Sequence, residues 1–205
     1  MRMPCLSTIF VCLTLAAVAA AGEQSFDFKD PKGVNAMYFL LDSQVEPIMG
    51  LAAGISGKIK FDAAAPAKAS GSIVVAAKSL QTQNKGMNEK LHSPEWLDVE
   101  TQPEITFAFK SVKDVKKVSE TATEMMVVGD FTCRGVTKEL TIPVRADYLA
   151  GGLKNRMGKE GDLLVLRTSF SIKRGDFEIK KDMLGSPVVA DEIQIRAHVT
   201  GTCAK

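Results

Sequence analysis

Apolar side chains recur at every second position in one segment after another, and this period of two constrains the fold more than any other feature. Met37, Phe39 and Leu41 alternate along one segment, Ile105, Phe107 and Phe109 along a second, and Leu140, Ile142 and Val144 along a third. Ile193, Ile195, Ala197 and Val199 form a fourth series, with Gln194, Arg196 and His198 between them. Successive side chains of a strand point to opposite faces, so each segment carries one apolar face. Antiparallel strands bury such a face by packing on a second sheet or by closing round their own interior. Nine strands are predicted, near residues 24–28, 36–43, 53–62, 70–79, 104–117, 123–134, 137–149, 162–174 and 191–203. The expected fold class is all-β, a closed or nearly closed antiparallel β-barrel of about eight strands.

Turn chemistry falls between these segments. Asp30-Pro31-Lys32-Gly33, the stretch from Asp62 to Pro66, Arg134-Gly135 and the glycines from Gly151 to Gly161 all read as connections. Arg134-Gly135 is short enough to join adjacent strands directly. Pro143 lacks the N–H that a ladder needs, so a bulge or local opening is expected there. The period changes only near residues 84–98, where Met87, Leu91 and the Trp96-Leu97 pair sit at helical offsets. A short helical segment is expected, with Ser93 as its cap and Pro94 at its first helical position.

Residues 1–21 combine Arg2, an apolar run from Leu6 to Val18 and the small residues Ala19, Ala20 and Ala21. This reads as a signal peptide, with the run too short to span a bilayer. One domain is expected over residues 22–205, soluble, exported to the periplasm and without stable membrane insertion. Of 26 Lys plus Arg, Arg2 leaves with the leader, against 24 Asp plus Glu. The near balance gives no field for nucleic acid, and none is expected as a partner. Cys133 and Cys203 remain among the four cysteines. Two readings stay open for them, a disulfide tying the tail to a mid-chain strand, or a buried apolar Cys133 with a free tail thiol.

Catalytic material is sparse. His92 and His198 are the only histidines, and neither has a second histidine or a cysteine at metal-ligand spacing. No G-x-S-x-G, H-E-x-x-H, P-loop or G-x-G-x-x-G pattern occurs. The chain is read as no enzyme, with no metal site and no cofactor. What it supplies is apolar bulk on strands, including Phe61, Phe131, Phe177, Met37 and Met125. Small residues at Ala52, Ala76, Ala108 and Ala146 argue for spare volume along the axis if they face inward. An eight-stranded interior either fills with side chains or holds one slender ligand.

Two landmarks carry a resemblance to a known family. One is LHSPEWLDVETQPEITFAF, beginning at Leu91, and the other is GDFTCRGVTKELTIPV, beginning at Gly129. A third, looser match runs through Phe170, Ile172, Arg174, Asp176, Phe177 and Ile179 to Asp191, Glu192, Ile193 and Ile195. In order and spacing these resemble the YceI-like family, which implies a lipocalin-like barrel that binds an isoprenoid lipid or quinone and can form a homodimer. The chain departs from the family pattern at Lys90 and His92, at Trp96-Leu97-Asp98 in place of F-F-D, and at Glu178 in place of glycine.

The resemblance and the apolar parity together nominate Phe39, Phe107, Phe109, Met126, Phe170 and Ile172 as wall residues of a ligand site. Leu91 and Trp96 are expected at its covered end, with Lys90 and Arg174 as headgroup contacts. The competing expectation is a filled, stress-linked barrel that binds a protein partner through its surface, with residues 154–160 as the candidate loop.

Overall fold

Every segment with a period of two is a strand in the computed structural model, which describes residues 22–205. The expected signal peptide, residues 1–21, lies outside the described residues. In chain order the elements are β1 (Gln24–Asp27), β2 (Ala36–Asp42), β3 (Pro47–Ala52), β4 (Ile55–Phe61), β5 (Ser70–Ala76), β6 (Leu80–Thr82), α1 (Lys85–His92), β7 (Glu104–Lys117), β8 (Ala122–Cys133), β9 (Val136–Leu149), α2 (Gly152–Met157), β10 (Gly161–Lys173) and β11 (Glu192–Ala204).

The sheet runs β1-β4-β5-β7-β8-β9-β10-β11, and β1 pairs with β11 through Asp27 and Thr202 to close an eight-stranded antiparallel ring. β2, β3 and β6 continue three of these lines past the ring: β2 on β11, β3 on β2, and β6 on β3. β3 and β6 were not expected from the sequence. β3 reads P-I-M-G-L-A, with a proline, a glycine and no clean alternation, and β6 has only three residues.

Two devices bend the sheet into a ring. Gly57 and Gly71 lie in β4 and β5 at φ 118° and 127°. A Cβ at either would meet the partner strand's carbonyl, Ser72 O at 2.2 Å or Lys58 O at 2.1 Å, so only glycine permits this close coiled approach. The second device is Asn35, 4% exposed, which bridges the break between β1 and β2. Its amide donates to Phe28 O and Thr200 O and accepts from Thr200 N, standing in for the missing strand beside β11.

The expected opening at Pro143 is present. β9 pairs with β8 along its whole length, but its ladder with β10 stops at Val144 opposite Thr168. Pro143 has no N–H to offer, and its carbonyl accepts from the Thr168 hydroxyl at 2.6 Å. Beyond it the two strands part. Phe177, 1% exposed, lies against Phe131 at 5.3 Å between ring centroids, and the turn that carries it seals the wall. Arg134 and Gly135 form the two-residue hairpin, both at positive φ (50° and 73°), between the paired Cys133 and Val136.

α1 differs from expectation in its cap. Asn84 is the N-cap, its side chain accepting from Met87 N at 3.0 Å, and Ser93 ends the helix. Pro94 opens the following turn. The cysteine bridge is absent: Cys133 ends β8 at the hairpin, Cys203 pairs with Asp162 at the other end of the barrel, and both thiols are free.

At the narrow end, around Phe26 and Phe28 (both 0% exposed), the core is solid. There the Asp30 carboxylate accepts from Lys32 N, Val34 N and Asn35 N and pairs with Arg156 at 2.8 Å. Burial opposes ionisation of Asp30, but the Arg156 contact and the backbone donors outweigh it and hold the carboxyl below its usual range. A depressed carboxyl stabilises the fold above its unfolded pKa of about 3.9, and that contribution is lost as pH falls through the lower folded value. Urea midpoints measured from pH 6 downward will show less acid sensitivity in Asp30→Asn than in the parent, with lower stability at pH 6.

Candidate ligand cavity

The inward parity of the strands, read upward from the solid end, lines a cavity of about 530 Å³. Ala197, Val199, Val144 and Leu166 form its floor. Ile73, Val75, Ile105 and Phe107 line it from β5 and β7, Phe131 beside Phe107 from β8, and Phe170, Ile172 and Ile195 from β10 and β11. Phe39 and Phe109 stand nearer the rim. This size lies within the range of small-molecule sites, about 300–1,000 Å³. The interior is therefore hollow, and the filled-barrel expectation does not describe it.

Space comes from small residues placed inside and from aromatics laid over glycine. Ala52, 3% exposed, lines the cavity, but Ala76 and Ala108 face outward and Ala146 is packed into the core beyond the lining. Phe39 lies over Gly50, its partner on β3; a Cβ at Gly50 would come within 2.2 Å of the Phe39 ring. Phe107 and Phe109, two apart on β7, meet edge to face at 5.7 Å.

Of the ten nominated residues, nine line the cavity: Phe39, Lys90, Leu91, Trp96, Phe107, Phe109, Phe170, Ile172 and Arg174. Met126 does not. It has the outward parity of β8, opposite Pro143, while Met125, Val127, Phe131 and Cys133 are buried on the inward parity of that strand. Two adjacent methionines left parity undetermined in the sequence, and the register shift of β7 opposite this stretch breaks the simple count.

Sequence reasoning missed the residues contributed by connections. Ile179, Met183, Val188 and Val189, from the segment between β10 and β11, close over the cavity, and Met87 reaches it from α1. They follow no period of two, so they gave no strand signal. Cys133 also lines the cavity; burial pushes its thiol up to about 12, which leaves it a neutral apolar surface.

The mouth is a set of loops stitched by cations. Arg174 is wholly buried, and its guanidinium donates to four backbone carbonyls, those of Ile179, Lys180, Met183 and Ala190. Its donors hold the segment 174–191 in place and are not arrayed for a headgroup. Arg134, from the family hairpin, donates to Pro94 O at 2.8 Å and to Glu178 O at 2.6 Å, joining the turn after α1 to the same segment. Lys180 pairs with Glu95 at 2.8 Å and Asp182 at 2.9 Å; these bonds, Glu95 first, raise its pKa. Lys90, on the exposed side of α1, makes no ion pair among the described residues. Glu178 sits at φ 59°, a left-handed position that costs a non-glycine residue about 1–2 kcal/mol.

α1 is held by its own side chains. Asn88 accepts from Thr82 N at 2.7 Å and donates to Thr82 O, and His92 Nε2 donates to Leu80 O at 2.7 Å. Asn88 and His92 thus occupy the free edge of β6 as a neighbouring strand would. His92 has a structural role, and His198 lies exposed on the outer face of β11.

Fold and site together define a binding barrel, an eight-stranded antiparallel ring with an apolar interior roofed by loops. The chain belongs to the YceI-like family, whose domain pattern matches residues 34–201. It is 31% identical over 163 residues to a UPF0312 protein of Pseudomonas fluorescens, covering 76% of this chain and 81% of the relative. The crystal structure of Burkholderia cenocepacia BcnA superposes at a TM-score of 0.65 and 23% identity, covering 81% of this chain and 95% of that one. A polyisoprenoid binding domain from Saccharophagus degradans does so at 0.60 and 10% identity, covering 90% and 99%. At those identities the two structures share the fold.

Arg174→Ala would leave several buried carbonyls without a donor, each costing about 1–3 kcal/mol. The expected loss is about 3 kcal/mol or more of unfolding free energy in urea, with new protease cleavage confined to residues 174–191 in the native protein.

Proposed function

We propose that this protein is a periplasmic carrier that holds an amphiphilic polyisoprenoid, of the quinone or polyprenyl type, in its barrel. The observation that carries this reading is a hollow lined almost wholly by hydrocarbon and aromatic rings, with charged groups only at its mouth. Such a site selects a ligand with a long apolar tail and a polar end. Phe39, Phe107, Phe109, Phe170 and Ile172 form the tail's walls in this reading, and Leu91 and Trp96 cover it. Lys90 meets the polar end.

Magnitudes set the ligand's length. Burying a five-carbon isoprene unit gains about 4 kcal/mol at about 0.8 kcal/mol per carbon. Association costs about 4–15 kcal/mol in lost freedom, so one unit does not give stable binding and several do. Membership of the YceI-like family and the polyisoprenoid-binding function of a protein with the same fold support the choice of isoprenoid. The reading requires no chemistry: at the rim Lys180 is paired with Glu95 and Asp182 and Arg174 serves backbone carbonyls, and in this reading binding alone is the activity.

Native mass spectrometry on protein purified from a periplasmic extract without detergent tests this. The parent is expected to carry a lipid whose fragments repeat every isoprene unit. Ala197→Phe, which fills the floor of the cavity, is expected to reduce occupancy at least tenfold while the barrel still folds. Repeated recovery of lipid-free parent would reject carriage.

A further inference from the structure

The hairpin of β2 and β3 is apolar on both faces. Its inner face, Met37, Phe39, Leu41 and Ile48, lines the cavity. Its outer face presents Tyr38, Leu40, Met49 and Leu51, cross-strand partners in two pairs, Tyr38 with Leu51 and Leu40 with Met49, and Tyr38 also reaches the rim of the cavity. Tyr38 is 52% exposed, Met49 64% and Leu51 43%. A strand buried on one face only should alternate apolar with polar. Ring strands nearby follow this rule: β4 turns out Lys58 and Lys60, β10 Arg167, Ser169 and Ser171, and β11 Gln194, Arg196 and His198.

Two further exposed side chains lie on the loops at this end of the barrel. Val45 is in the loop that joins its strands, and Leu184 is in the segment that roofs the cavity. The two loops are bonded to each other, Val45 N to Pro187 O and Ala190 N to the Ser43 hydroxyl. Most of the large hydrophobics exposed among the described residues thus gather at the mouth. The others, Val34, Val115 and Val118, lie toward the solid end.

We infer that this face is a docking surface for a lipid bilayer, seating the cavity mouth at the membrane from which the ligand is taken. The inference rests on the proposed carriage of a lipid. The patch is continuous with the rim of the cavity, where an amphiphile that water does not dissolve must arrive. Tyrosine and aliphatic side chains suit the interface between headgroups and acyl chains. The flanking charges are of both signs, Asp42 and Glu46 beside Arg196 and Lys181, so attraction to anionic lipid is not the driving force. A stable protein dimer needs about 20–30 residues a side, far more than this patch offers. No helix of the described residues is long and apolar enough to cross a membrane.

The test is flotation with phosphatidylcholine vesicles, scored beside quenching of Trp96, the single tryptophan, by a soluble ubiquinone bearing two isoprene units. The parent is expected to float with vesicles equally at low and high salt. Met49→Glu/Leu51→Glu is expected to lose vesicle partitioning at least tenfold while quinone quenching stays unchanged, and Val115→Glu, at the far end, is expected to change neither. Vesicle binding that is absent from the parent, or equal in parent and double variant, would overturn the docking surface while quinone quenching kept the carriage reading intact. Loss of a dimer in the double variant, seen by sedimentation, with no vesicle binding in either protein would overturn it in favour of a second copy. Vesicle binding through the patch with neither quinone quenching nor a lipid in the native mass spectra of the parent would uphold the surface and remove the carriage reading alone.

Discussion

A strand sends alternate side chains to opposite faces, and in a closed ring one of those faces is the interior. That constraint underlies the rest of this structure. Once Asp27 meets Thr202, the positions occupied by Phe107, Ile195 and Phe170 have nowhere to point but inward. Whether they fill the interior depends on what stands opposite them. Here Ala52 and Ala197 stand among the lining, and Gly50 lets the Phe39 ring lie back over its own hairpin, so the centre stays open.

An open apolar centre must be kept from water, and the mouth shows how. The roof is made of irregular chain, whose backbone groups cannot satisfy one another as a ladder does. Cations take up that work. Arg174 serves four carbonyls from a fully buried position, and Arg134 and Lys180 tie the turn after α1 to the same segment. Two of these, Arg134 and Arg174, belong to the motifs that carry the family resemblance. Their part in this chain is to hold the roof and the cavity's shape.

The barrel was legible in the sequence because its evidence was local. The alternation at 36–43, 104–117 and 191–203 and the Arg134-Gly135 turn each needed only their own residues, and Pro143 forecast the break in the wall. The wall residues Phe39, Phe107 and Phe109 followed from that parity, and Phe170 and Ile172 from the family resemblance beside it. What escaped was set by tertiary context. β3 and β6 are strands because the lines of the ring continue into them, and Met126 and Met125 were indistinguishable without the register. The cap of α1 fell to Asn84 because Asn88 and His92 must reach the edge of β6. Arg174 looked like a waiting charge until the carbonyls around it were in view.

The central claim, a dry hollow inside the ring, is tested most directly by crystals held under xenon, since xenon enters apolar cavities that water leaves empty. The account predicts ordered xenon between Phe39, Phe107 and Ile195, with the surrounding rings unmoved. A centre that admits no xenon because side chains meet across it, or one occupied by ordered water bonded to polar groups, would contradict it.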